Sequence, residues 1–270
     1  RKTFNELKTD NNNFEIPLLT SYEKSYNFDF SESLVTRFSK YKNIIIFGMG
    51  GSILGAKSIF SFFKKKIKKK VFFFDNLDLN LFKEYQEVKN LKNSCFIVVS
   101  KSGETLETIT NLGATFSKKL FKGKMVFITE IKDNVLLELA DRYKADIIEH
   151  KEFISGRYSV LSESAMFPAA LMGVKYKKFH NLTKLINNKN FIKSLIQNVA
   201  TIYTLNSRGI NNSVILNYDF SLNDLGYWYQ QLVAESLGKK RKGINPTLSF
   251  GPKDHHSLLQ LYLDGPKDKF

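Results

Sequence analysis

Five short apolar runs of strand length punctuate the first part of the chain: Asn43–Phe47, Val71–Phe74, Cys95–Val99, Lys124–Thr129 and Ala145–Ile148. Between them the apolar residues recur at helical spacing. Ile53, Leu54, Ala56, Ile59, Phe60 and Phe63 follow the first run, and Leu79–Val88 reads as a helix after the second. A helix over 104–121 follows the third, with Leu106, Ile109, Leu112, Gly113 and Phe116 on one face, and another near 133–143 follows the fourth. Strands that are apolar throughout are buried on both faces. Their alternation with helices predicts an α/β fold, a three-layer αβα sandwich around a parallel five-stranded sheet. Residues 1–30 are polar and aromatic without a strong period, a surface helix and extended lead-in.

Beyond a helix at about 164–173 the pattern changes. Lys175–Ile186 and Phe191–Ser207 read as helices joining two units. A strand at Ser213–Asn217, a long helix at Leu222–Lys239, a strand-like Leu248–Phe250 and a helix over His255–Leu263 then begin a second unit. One or two parallel strands cannot close a core, so this unit reads as cut short. The expected organisation is a first domain with its lead-in over 1–175, a helical connection over 176–208, and the start of a second domain over 209–270.

Composition narrows the classes. With 43% hydrophobic and 14% aromatic residues, the 270-residue chain can build full cores. It has no run of eighteen apolar residues, so nothing is expected to span a bilayer, and Arg1–Glu6 lacks the apolar segment of an export signal. The single cysteine, Cys95, heads a strand, where a buried inert thiol is expected rather than a nucleophile; a disulfide within one chain is excluded. A reducing compartment, the cytoplasm, is expected. The formal net charge is +15, and Lys64–Lys70 reads KKKIKKK. Lysines are spread along the whole chain among many Asn, Ile and Phe, as a compositional bias would leave them. The run sits between an apolar helix and an apolar strand, where a solvated turn belongs. No specific nucleic-acid partner is expected, while a general pull on anionic metabolites is compatible with the charge.

Two loops carry candidate chemistry. Ser100, Lys101, Ser102, Gly103, Glu104 and Thr105 stand between a buried strand and a helix start. Unpaired N–H groups and the positive end of the helix dipole meet there, a setting that binds phosphate. The plainer alternative is that Ser102 caps the helix. The other loop is Gly48-Met49-Gly50-Gly51-Ser52. It matches the first two positions of a dinucleotide fingerprint, but the third falls on Ile53, so a nicotinamide cofactor is not expected. Gly50, Gly51 and Ser52 read better as bare backbone approaching a ligand, with one hydroxyl. Both loops lie at carboxyl ends of strands, where open parallel sheets bind ligands. A third segment, Ser155-Gly156-Arg157-Tyr158, puts an arginine beside a glycine after the fifth strand, either a surface residue or one reaching the same pocket.

In the later helix Gln231, Glu235 and Lys239 are spaced four apart and lie along one stripe. An exposed Glu–Lys pair accounts for that spacing without function. His255 and His256 follow at a helix start, but adjacent histidines do not both point inward from a helix, and no metal-ligand spacing supports a metal site.

Five ordered segments resemble glucose-6-phosphate isomerase, a family built from two sugar-isomerase (SIS) domains, in its shorter bacterial form: FGMGGS at 47–52, SKSGET at 100–105, SGRYSV at 155–160, QQLVAESLGK at 230–239 and His256-Ser257-Leu258-Leu259-Gln260. The resemblance runs from about Ile44 to the last residue. It implies the reversible conversion of glucose 6-phosphate to fructose 6-phosphate, in glycolysis and gluconeogenesis, with no cofactor or metal. It implies Glu235 as the base that carries a proton between C2 and C1 through a cis-enediol, in a partly buried setting near Gln231. Arg157 would stabilise the enediolate oxygen, and Gly156 would let the backbone come close. Ser52, Ser100, Ser102 and Thr105 would hold the phosphate, with Gly51 and Lys101 beside them. His256 matches the family histidine that helps open the sugar ring from the neighbouring subunit, so a homodimer is implied. The chain departs from the family in stopping before the C-terminal stretch with its ring-opening lysine, and in carrying Glu104 where many bacterial relatives have threonine. Two readings stand beside this one: a related SIS enzyme acting on another sugar phosphate, and a non-catalytic module that binds a sugar phosphate and regulates a partner. The regulatory module would have no use for Glu235 or Arg157.

Overall fold

The computed structural model describes residues 2–12, 17–86, 91–117, 124–180 and 183–270. Its elements are, in order, α1 (Lys2–Asn12), α2 (Glu32–Ser39), β1 (Asn43–Phe47), α3 (Gly51–Phe63), β2 (Lys70–Phe74), α4 (Leu79–Gln86), β3 (Ser94–Val99), α5 (Leu106–Ser117) and β4 (Lys124–Thr129). Then come α6 (Val135–Tyr143), β5 (Asp146–Glu149), α7 (Glu163–Leu171), α8 (Thr183–Ile186), α9 (Lys189–Ser207), β6 (Asn212–Asn217), α10 (Asn223–Leu237), β7 (Asn245–Phe250) and α11 (Leu259–Asp264). They group into two compact units, one of residues 25–179 and one of residues 1–24 with 180–270.

The unit of residues 25–179 contains the expected parallel five-stranded sheet, in the order β2-β1-β3-β4-β5. Each strand predicted from an apolar run is present within one residue of its predicted ends. Side chains alternate across the sheet. Ile45, Phe47, Phe96, Val98 and Phe127 form one core with Leu112 of α5 and Leu136 of α6. Ile44, Ile46 and Ile97 point the other way and are equally inaccessible. Chain order and sheet order together locate a reversal. From β1 the chain steps outward to β2, whereas β3, β4 and β5 succeed one another in the opposite direction. With right-handed crossovers this puts α3 on one face and α4, α5 and α6 on the other. The crevice at the carboxyl ends of β1 and β3 is therefore the topological switch point, where such sheets bind ligands.

Helix α7 is buried along its whole length, including the carboxylate of Glu163. Tyr26 donates its hydroxyl to both carboxylate oxygens, at 3.0 and 2.8 Å, and the Asp29 N–H donates at 3.1 Å. These bonds tie the segment before α2 to the core. Burial raises the Glu163 pKa, against the pull of its backbone and Tyr26 hydrogen bonds. Tyr26→Phe removes a donor from a buried carboxylate and is expected to cost about 2 kcal/mol in urea-unfolding free energy. An unchanged midpoint would show that this tether contributes nothing.

Some elements differ from the sequence pattern. The helix expected over 104–121 begins at Leu106, because Ser102–Glu104 form a turn first; it is described to Ser117, and 118–121 lie outside the described residues. The helix expected at Leu79–Val88 is described to Gln86. Lys175–Ile186 is not one helix. A 3-10 turn at Tyr176–His180 precedes α8, and residues 181–182 lie outside the described residues.

In the other unit β6 and β7 form a parallel pair. The last residues add a short third rung that no apolar run announced: Phe270 N–H donates to Asn212 O at 2.9 Å, and Val214 N–H donates to Phe270 O at 2.8 Å. Helices α9, α10 and α11 hold no fully buried residue, and Tyr203 and Leu263 are 75% and 65% exposed. A parallel pair of this size does not by itself close a core.

Candidate active site

At the switch point three loops are held together by backbone packing. A Cβ added to Gly48 would lie 3.2 Å from Val99 O, which sets the turn after β1 against the end of β3. A Cβ on Gly51 would lie 2.3 Å from the carbonyl of Gly156 and 2.5 Å from Arg157 N. The bareness of Gly51 thus serves contact between the start of α3 and the Gly156–Arg157 loop. Ser159 reinforces that contact by directing its hydroxyl to Gly156 O at 2.7 Å and Gly51 O at 3.3 Å. Gly156 itself has nothing within 4 Å of an added Cβ.

The loop after β3 places the Ser100 and Thr105 hydroxyls 2.8 Å apart, with Ser100 almost fully buried. Gly103 turns it with φ +72°, and an added Cβ would sit 2.0 Å from Asn134 Oδ1. Asn134 in turn caps α6 by accepting from Leu137 N–H, so the loop is braced by a neighbouring helix start. Ser102 is exposed and accepts from Glu104 N–H at 3.2 Å, a turn made before the helix begins rather than a cap on it. Glu104 is exposed. Ser52 lies in the first turn of α3, whose N-cap Gly50 supplies no side-chain bond. The start of α3 with Ser52 and the start of α5 with the Ser100–Thr105 hydroxyl pair therefore stand at the carboxyl ends of β1 and β3, an arrangement suited to a dianion.

Lys101 takes another direction. Its ammonium donates to Glu152 O at 2.6 Å and pairs with Glu130 at 3.3 Å. Glu130 also pairs with Lys132; burial alone would raise its pKa, but the hydrogen bonds from Lys132 and Lys101 bring it below the ordinary value. Arg157 is half-buried, with its guanidinium 4.8 Å from the Tyr158 ring centre and an N–H donated to Ser155 Oγ at 3.2 Å.

The remaining candidates stand in the other unit. Gln231 Nε2 donates to Glu235 Oε2 at 3.1 Å along α10, while Gln231 Oε1 is buried with no partner. Glu235 is exposed, which corrects the expectation of a partly buried carboxylate: α10 packs on β6 and β7 without covering residue 235. The helix ends at Leu237, with Gly238 following as its C-cap, so Lys239 lies beyond the helical stripe it was expected to share. His256 is exposed just after a 3-10 turn, whereas His255 is engaged by the Tyr218 hydroxyl at 2.7 Å. Asp254 organises this turn, accepting from Phe250 N–H at 2.6 Å and from the hydroxyls of Ser249 and Ser257.

The phosphoglucose isomerase family model matches residues 29–251, a span that takes in both loops, Arg157, Gln231 and Glu235. The chain belongs to the phosphoglucose isomerase family. A glucose-6-phosphate isomerase from Methanocaldococcus jannaschii is 39% identical over 238 residues, 85% of this chain and 59% of that protein. One from Campylobacter jejuni is 32% identical over 84% of this chain and 59% of its own length. The chain thus spans about six tenths of these relatives. Among solved structures, a hypothetical protein from Thermus thermophilus aligns with a TM-score of 0.76 at 24% identity, over 87% of this chain and 61% of that one. A glucose-6-phosphate isomerase from Chlamydia trachomatis aligns at 0.68 and 21%, over 92% and 56%. These two establish the fold.

Three residues near the phosphoglucose isomerase family's loop motif escaped the sequence reading: Glu130, Asn134 and His150. Glu130 acts through Lys101 and Asn134 through its close approach to Gly103, both distant in sequence, and only the Asn134 capping position had a local signal. His150 follows β5, is 1% exposed, and has Nε2 buried without a partner. Burial pulls its pKa down to about 4. The unfolded chain takes up a proton below the ordinary value of 6.5 that the folded chain refuses, so this contribution to stability is lost as pH falls from 6.5 towards 4. From pH 7 to pH 4 the wild type should lose about 3 kcal/mol relative to His150→Gln in paired urea titrations. A pH-independent difference between the two would contradict this.

Proposed function

We propose that this chain carries the substrate-anchoring and base-bearing parts of a glucose-6-phosphate isomerase, interconverting glucose 6-phosphate and fructose 6-phosphate in glycolysis and gluconeogenesis in the cytoplasm. The observation that carries the reading is the convergence of the α3 start, the Ser100–Thr105 hydroxyl pair and the Gly156–Arg157 loop at the switch point. In this reading Ser52, Ser100, Ser102 and Thr105 hold the phosphate with N–H groups of both helix starts, and Gly51 fixes their spacing. Lys101 acts by bracing its loop through Glu130 and the Glu152 carbonyl. Binding energy at the phosphate positions the reacting end of the sugar. Glu235, oriented by Gln231, takes the proton from C2 and returns it to C1 of the same face. Arg157 stabilises the negative charge that grows on the enediolate oxygen, and Gly156, unobstructed, admits the sugar to the backbone. His256 serves ring opening in the neighbouring subunit of a homodimer. The domain plan is a first SIS domain over 1–175, a connection over 176–208, and a second SIS domain beginning at 209.

The test is incubation with fructose 6-phosphate in deuterated water. Deuterium is expected at C2 of glucose 6-phosphate, from this chain or from a fusion that supplies the part of the Methanocaldococcus jannaschii relative left out of the match. Conversion of neither would end the proposal.

A further inference from the structure

The last three lysines of the run that charge alone left as a solvated turn line a cavity at the opposite pole of the sheet. The cavity has a volume of about 620 Å³, and five of its nine described lining residues are lysines: Lys40, Lys42, Lys68, Lys69 and Lys70. They come from two segments 25 or more residues apart, and backbone bonds set their spacing. Lys70 N–H donates to Lys42 O at 3.1 Å, and Lys42 N–H donates to Asn93 O at 3.1 Å. The floor is the amino end of three strands, where buried Asn43 donates to Ser94 Oγ at 3.1 Å. No carboxylate lines the cavity or pairs with any of the five among the described residues. Lys69 is half-buried and donates to Ser39 O at 2.8 Å, and burial lowers its pKa. Lys40 lies over the Tyr41 ring.

A compositional excess of lysine scatters charge over a surface, with carboxylates interspersed. It does not bring five lysines from two separate segments to line one concavity without a counter-charge. We propose that this cavity binds a compact polyanion of three or more linked phosphates, at a site separate from the hydroxyl nest at the carboxyl ends of the strands. A single phosphate would neutralise too few of the cations and fill little of the volume. An extended nucleic acid would be expected to engage the rest of the run as well, yet Lys64, Lys65 and Lys66 stand outside the cavity.

The probe is inorganic tripolyphosphate, titrated calorimetrically into the 270-residue chain, with ATP in a parallel arm. Saturable binding is expected, weakened by about tenfold or more in the triple variant Lys40→Ser, Lys42→Ser, Lys68→Ser. The charge-matched control Lys64→Ser, Lys65→Ser, Lys66→Ser should bind nearly as the wild type does. Tighter binding of ATP assigns a nucleotide as the source of the phosphates, and equal binding assigns a polyphosphate chain; both support the site. Equal weakening in the two triple variants, loss of binding with Ser102→Ala instead, or tighter binding of a single-stranded oligonucleotide through the same lysines overturns it. Amine labelling of the unmodified chain gives a second readout that does not depend on the variants folding. Tripolyphosphate should protect Lys42 and Lys68 but not Lys64 and Lys65, and uniform protection would count against the cavity.

Discussion

Glu235→Gln is expected to abolish deuterium entry at C2 of glucose 6-phosphate, lowering exchange by about 10³-fold, while affinity for fructose 6-phosphate stays close to wild type. The amide keeps the shape of the side chain and its hydrogen bond with Gln231, but it cannot accept the C2 proton at neutral pH. General-base catalysis of this kind contributes roughly 10² to 10⁴ in rate. The proposed phosphate ligands lie elsewhere in the sequence, on the loops after β1 and β3, so binding and chemistry should separate. The assay needs both readouts, exchange by mass spectrometry and affinity by calorimetry. Exchange that persists in the variant would remove Glu235 from the mechanism. Lost affinity with intact exchange would recast it as a binding residue.

The second large effect is expected at Gly51. An alanine there puts a methyl group 2.3 Å from the Gly156 carbonyl and 2.5 Å from Arg157 N. These are backbone atoms, held from the other side by Ser159, and they cannot rotate away as a flexible side chain would. Either α3 or the Arg157 loop must move. Overpacking against a rigid neighbour costs about 1–3 kcal/mol, and more when backbone must shift, so Gly51→Ala is expected to cost about 3 kcal/mol or more in denaturant unfolding. Phosphate binding should fall with it, because the start of α3 is one wall of the nest. Gly156→Ala is the matched control. Nothing lies within 4 Å of its added methyl, so stability should change by roughly 0.5 kcal/mol or less, and any effect should appear in sugar-phosphate affinity. Equal stabilities for the two variants would show that the loops are not packed as described.

Local pattern was enough wherever the physics is local. A strand covered on both faces has to be apolar throughout, which is why Asn43–Phe47 and Lys124–Thr129 were readable to the residue. The order of the loop motifs was equally visible, and the switch point they occupy follows from strand order, which periodicity does not encode. Where a side chain's partner lies far along the chain, the sequence was silent. Lys101 beside two serines reads as a phosphate ligand, but Glu130 and the Glu152 carbonyl, 29 and 51 residues later, claim its ammonium. Gly51 reads as backbone bared for a ligand, but the Gly156 carbonyl already fills that space. Glu235 reads as one end of a helical pair with Lys239, until the helix stops at Leu237.

By itself, then, the order of residues determined the alternation of strands and helices, the apolar faces that make the sheet a buried layer, and the places where hydroxyls and glycines meet helix starts. Tertiary structure decided which of those groups remain available for a ligand, and it gathered lysines from separate segments into one cavity. Burial and periodicity act between neighbours a few residues apart, whereas hydrogen-bond and ion-pair partners are chosen by where the folded chain brings distant segments together.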